Sequence, residues 1–201
     1  MHPRLEEFFP PIRSAFHNAT VNVLTNGILL SSKGESFWRS CAEHKIGIVV
    51  TIYPDMERQF EEAVATGASF GVSVSPYDAY THRYKITKTS HHCPMDFSGS
   101  QPKLDNFMLC WHGQNCAMLR EGRMYPCPVA SNIHIFNDYF PEHALPLSNE
   151  DSIDIYAAKS GREVLEFISR PIPFCRFCLV SGRTSGHPWG CSRKSIREWT
   201  V

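Results

Sequence analysis

Five cysteines in the second half of the chain restrict its fold more than any other feature. Cys110 and Cys116 come first, Cys127 ends the run Gly122-Arg123-Met124-Tyr125-Pro126, and Cys175 and Cys178 form a Cys-x2-Cys pair just after Pro171 and Pro173. Thiols in three separated groups are hard to explain by packing alone. The residues between them carry local signals of their own. Met118-Leu119-Arg120 and Arg123-Met124-Tyr125 flank Glu121-Gly122, which predicts a β-hairpin that delivers Cys127 at its end. The two prolines stop any helix before the Cys-x2-Cys pair, and a tight turn at that spacing lets two thiolates reach one centre.

The compartment follows from what surrounds the thiols. The chain holds eight cysteines, and Met1-His2-Pro3-Arg4-Leu5-Glu6-Glu7 lacks the basic and apolar stretches of a secretion signal. Reduced thiols in a cytoplasmic setting are therefore expected, and there metal binding is favoured over disulfides. Thiolates bind zinc or iron–sulfur clusters. Zinc takes four ligands, and five thiols leave one over, which suits a cluster with alternative ligands; both readings stay open, as does a metal-free one. Cys41 lies in an amphipathic helical stretch and reads as a core thiol. Cys93, after His91-His92, reads as part of a polar loop, and Cys191 is undecided.

Other classes are excluded more directly. Twenty Lys and Arg balance twenty Asp and Glu, so bulk charge does not point to nucleic acid. No apolar run approaches the roughly eighteen residues that span a bilayer. There is no Gly-x-Ser-x-Gly elbow, Walker loop or His-Glu-x-x-His.

Before the cysteines, helical and strand signals alternate. Residues 5–16 have helical periodicity broken by Pro10 and Pro11. Val21 to Leu24 reads as a strand ending at Thr25-Asn26-Gly27, 35–44 as a helix, and Gly47 to Tyr53 as a strand buried on both faces. Residues 55–65 read as a helix with Asp55 as N-cap and Gly67 past its end, and 70–74 as a strand. This alternation predicts βα units with a parallel sheet, hence an α/β fold. From Pro76 to Asp105 clear periodicity is absent. Beyond it, 132–140 and 163–169 read as helices, the second opened by a capping box at Ser160.

Several phrases together resemble radical S-adenosylmethionine (radical SAM) proteins with a C-terminal auxiliary-cluster domain of the SPASM or twitch kind. They are Val23-Leu24-Thr25-Asn26-Gly27, Thr51-Ile52-Tyr53-Pro54, the run from Cys116 to Pro128, Ile153-Asp154-Ile155-Tyr156, and the run from Pro171 to Cys178. The resemblance covers nearly the whole chain. It implies the C-terminal part of a partial (β/α) barrel over 1–88, lacking the first strands and the cluster loop. A small α+β, cysteine-rich auxiliary-cluster domain follows over 89–201. Asn26 and Thr51 match positions near the nucleoside of the cofactor. Cys110, Cys116 and Cys127 match the first ligands of an auxiliary 4Fe-4S cluster, and Cys175 and Cys178 match those that complete it.

The family's Cys-x3-Cys-x2-Cys loop and Gly-Gly-Glu turn are both absent from this sequence. The resemblance therefore implies a fragment of a radical SAM enzyme, arising by truncation, a split gene or a misassigned start. It would contribute the substrate and cluster region without catalysing alone, so whether the chain is an enzyme stays open. S-adenosylmethionine would bind only with the missing N-terminal segment supplied. Expected partners are a separate N-terminal half, or a second copy meeting an open sheet edge at Val21 to Leu24. The alternatives are an iron–sulfur electron carrier or binding module and a zinc-stabilised structural domain. The substrate is not readable.

Overall fold

Ile46-Gly47-Ile48-Val49-Val50 is β-branched at four of five positions, and it forms the central strand of the first sheet. The structure, a computed structural model, describes residues 2, 4–77, 89–188 and 190–200. Part of the stretch expected to lack periodicity, 78–88, lies outside the described residues. The chain divides into two compact units, Met1–Lys88 and Thr89–Val201. The described residues are mixed α/β with three small sheets.

In the first unit, β1 (Val21–Thr25), β2 (Ile46–Val50) and β3 (Val74–Pro76) make a parallel sheet in the order β1-β2-β3. Helices α1 (Phe9–Ala15), α2 (Glu35–Glu43) and α3 (Glu57–Ser69) complete it. The strand expected to be buried on both faces is buried on one. Ile46, Ile48 and Val50 face the core with Phe37, Trp38 and Phe60, whereas Gly47 and Val49 are only half-buried and Leu24 is 62 % exposed. The prolines do split the first helix. A 3-10 turn over Leu5–Phe8 precedes α1, and Pro10 and Pro11 fall in the first turn of α1, where no helical N–H partner is required.

Two boundaries differ from the sequence reading. Asp55 has a φ of 67° and does not cap α3, which starts at Glu57 behind Met56. Gly67 lies inside α3 and not beyond it. A Cβ there would stand 2.5 Å from Val74 Cγ2 and 2.9 Å from the Val72 carbonyl oxygen. Close approach of the following strand, and not helix termination, is what requires glycine at this point.

In the second unit, β4 (Thr89–His92) pairs antiparallel with β8 (Thr184–Pro188). Strands β5 (Met118–Arg120), β6 (Arg123–Tyr125) and β7 (Ile153–Asp154) form an antiparallel sheet in that order. The hairpin turn has Glu121 and Gly122 at φ of 51° and 74°, both left-handed, as a two-residue type I′ turn needs. Helices α4 (Lys103–Leu109), α5 (Trp111–Asn115), α6 (Pro128–Tyr139) and α7 (Gly161–Ile168) surround a core that includes Ile133, Phe136, Leu145, Ile172 and Phe174. Ser160 caps α7 by accepting from Glu163 N–H at 3.2 Å. Among the described residues no helix is long and apolar enough to cross a membrane.

Candidate metal centre

Each cysteine of interest in the second unit sits at the end of an element. Cys110 lies at the junction of α4 and α5. Its sulfur accepts the Gly113 N–H at 3.4 Å. Cys127 is the N-cap residue of α6, just before Pro128; its side chain makes no capping hydrogen bond, and the nearby N–H groups of Ala130 and Val129 favour its charged form. Helix N-termini leave such donors free, and they favour a thiolate. Cys175 lies in the 3-10 turn Pro173–Phe177, and Cys178 follows directly.

These four thiols line one small cavity of about 30 Å³, partly open to solvent. Phe107, Pro126, Ile172, Phe174 and Val180 supply apolar walls. Cys116 does not line it. Cys116 ends α5 and donates its N–H to the His112 carbonyl at 2.9 Å; its thiol is pushed up by burial and by nearby Cys110. The structure thus brings Cys110, Cys127, Cys175 and Cys178 together and leaves Cys116 beside Cys110.

The knuckle carrying Cys175 and Cys178 is held from two sides. Asn106, 5 % exposed, donates through Nδ2 to the Cys175 carbonyl at 2.7 Å and also to the Cys178 carbonyl. Asp151, 1 % exposed, accepts the Phe174 N–H at 2.6 Å through one oxygen and the Ser148 N–H at 2.7 Å through the other. Sequence reading missed both residues. The Ser148-Asn149-Glu150-Asp151 capping box could have marked Asp151. Nothing local marks Asn106.

The thiols shape one another's charge. Burial pushes Cys127 up to about 11 against 9.0 for a free thiol, opposed by the helix N–H groups. Burial also raises Cys175. Cys178 is raised well above the free value, first by a hydrogen bond with Cys93, then by burial and the nearness of Cys127 and Cys110. Cys93 moves the other way, to about 7, because Cys178 donates to it and Arg183 stands beside it. Backbone pairing of 94–96 with 177–179 brings Cys93 close to this group. Metal binding here would displace protons from several thiols at once.

Among the described residues, no three His, Cys, Asp or Glu side chains are placed to hold one metal ion. A single zinc ion needs its sulfurs to converge on one point. A polynuclear cluster spreads its thiolates over several irons, yet they must still surround one compact core. The donor set is all soft thiols, the ligand type that zinc and iron–sulfur clusters share.

In the first unit, Asn26 follows β1 and Thr51 follows β2. Thr51 N–H donates to the Thr25 carbonyl at 2.8 Å, so both lie at the C-terminal ends of adjacent strands. Asn26 is exposed and accepts the Ile28 N–H through Oδ1 at 3.2 Å. Strand ends of this kind form the ligand crevice of open parallel sheets. Cys41 is fully buried among Phe37, Trp38 and Ile46. Comparison with protein families, curated proteins and solved structures gives no match.

Proposed function

We propose that the second unit holds an auxiliary 4Fe-4S cluster through Cys110, Cys127, Cys175 and Cys178, in a chain of radical SAM lineage. The observation that carries this reading is the shared cavity of four thiols drawn from three distant parts of the sequence. A cluster at this place would supply one-electron transfer or a site for a substrate heteroatom. The residues of the chain hold it. Gly113 donates its N–H to the Cys110 sulfur, Asn106 and Asp151 fix the knuckle, and Phe107, Ile172 and Phe174 wall part of the site. Asn26 and Thr51 then mark the strand ends at which a nucleoside would lie, an assignment that rests on the resemblance.

Anaerobic reconstitution with iron and sulfide tests the reading. The expected result is about four iron per chain. Cys127→Ala and Cys178→Ala should lose most of that iron, while Cys41→Ala should keep it. Full iron in both of the first two variants, or zinc in place of iron in the purified chain, overturns the assignment. With S-adenosylmethionine and a strong reductant, the loaded chain should make no 5′-deoxyadenosine above background. Four thiolate ligands leave no open iron, and the sequence contains no Cys-x3-Cys-x2-Cys loop. Cluster-dependent product would contradict this.

A further inference from the structure

The knuckle has a second face. A 3-10 turn repeats every three residues, so along Pro173–Phe177 and Cys178 the two cysteines share one side, and Pro173 and Arg176 share another. The cysteines line the small cavity already described. Pro173, Arg176 and Phe177 line a different one, of about 340 Å³ and partly open to solvent. Pro146, Leu147 and Glu150 form its opposite wall. Small-molecule sites are commonly about 300–1,000 Å³ in volume, and this cavity falls inside that range.

Both walls are held in place by the chain itself. Asn137 grips Leu145, donating Nδ2 to its carbonyl and accepting its N–H through Oδ1, each at 2.8 Å. Asp151 ties one wall to the other. One of its oxygens accepts the Phe174 N–H at 2.6 Å, and the other accepts the Ser148 N–H at 2.7 Å and the Ser148 hydroxyl at 2.9 Å. From the other side, Asp96 N–H donates to the Phe177 carbonyl at 2.8 Å and Gln101 N–H to the Arg176 carbonyl at 3.3 Å. The Arg176 guanidinium lies over the buried Phe177 ring, 4.7 Å from its centre. Stacking of this kind restrains a long side chain and leaves its N–H fork available.

The lining charges give the site its chemistry. Asp151 is already satisfied by the bonds above. Among the described residues, Arg176 and Glu150 make no ion pair, either with each other or with another side chain. One cavity thus presents a cation and an anion that stay apart, with Pro146, Leu147, Pro173 and Phe177 as apolar surface. Such a lining complements a molecule that carries a carboxylate and an ammonium on a small apolar body. We propose that this cavity binds a free aliphatic amino acid. Arg176 takes the carboxylate through its planar fork, Glu150 accepts from the ammonium, and Leu147, Pro173 and Phe177 pack against the side chain. The proposal does not depend on a metal at the thiols.

Titration of the full chain with L-leucine, followed by backbone amide NMR, tests this. Saturable shifts should be confined to residues 145–151 and 173–177. Isocaproate, which is leucine without its amine, and isoamylamine, which is leucine without its carboxylate, should each bind about tenfold more weakly or worse. Each forfeits one charge-assisted pair. Arg176→Gln should weaken leucine about tenfold and erase its advantage over isoamylamine. Glu150→Gln should erase its advantage over isocaproate. Absence of saturable shifts at millimolar leucine overturns the proposal, as does isoamylamine binding as tightly as leucine. Wild-type leucine affinity in Arg176→Gln does so too. Should Arg176→Gln fail to fold, an undiminished preference for leucine over isocaproate in Glu150→Gln is decisive against it.

Discussion

Asn106 and Cys41 carry the consequences most easily measured at the scale of the residue. Asn106 supplies one buried amide group to two carbonyls of the knuckle. Asn106→Leu keeps a similar volume and removes both bonds, and each buried carbonyl left unpaired costs about 1–3 kcal/mol. Urea unfolding of the metal-free chain should therefore show a lower midpoint, and reconstituted iron should fall. An unchanged midpoint with full iron would show that the knuckle holds its own shape. For Cys41, burial first and Glu6 second push the thiol up to about 12 against the free value of 9.0. Between about pH 9 and 12 the folded chain keeps a proton that the unfolded chain has lost. Stability contributed by this group is thus complete below about pH 9 and falls as pH rises through that window. Cys41→Ala should be less stable throughout, yet lose less stability from pH 9 to 12. Parallel slopes for the two chains would contradict the burial argument.

Elements show how local rules and packing divide the outcome. Gly67→Ala in α3 gains about 1 kcal/mol of helix propensity. Its Cβ, however, meets Val74 Cγ2 at 2.5 Å and the Val72 carbonyl at 2.9 Å, and a backbone carbonyl cannot step aside. Overpacking of this kind costs about 1–3 kcal/mol, so thermal melting should show net destabilisation; a higher melting temperature would mean that β3 yields. The same contrast explains what could be read without coordinates. The hairpin β5–β6 is legible because Glu121-Gly122 is a local turn signal between two short extended runs, and α7 because Ser160 and Glu163 are three apart. Gly67 was misplaced because its neighbours Val72 and Val74 come from the chain folding back on itself. In the candidate site, hairpin and knuckle spacing mark Cys127, Cys175 and Cys178. That Cys110 lines the cavity while Cys116 does not depends on how the short helix α5 turns between them. Cys93 is invisible to spacing altogether, since only the pairing of 93–96 with 177–179 brings it near.

For the whole molecule, the division into two units with separate cores predicts separate responses to metal. Ligation couples to folding only in the unit that supplies the thiols. Hydrogen exchange should thus slow on metal loading across residues 103–180, while β1, β2 and β3 exchange as before. Equal slowing in both units would mean that they are energetically joined. The first sheet has a further property: among the described residues β1 pairs with β2 alone, so its outer edge lies open beside exposed Leu24. The arrangement of the thiols also sets a timetable. A chain leaves the ribosome N-terminus first, and Cys93, Cys110 and Cys127 emerge long before Cys175 and Cys178. The partner strand for 93–96, the acceptors for Asn106 and two of the four cavity sulfurs are all made last. A nascent chain released or stalled before residue 175 has made Cys93, Cys110, Cys116 and Cys127 but lacks two of the four sulfurs that line the cavity. Assembly of the site therefore waits until residue 178 has been made, and an interrupted translation product is the form most open to alkylation and stray metal.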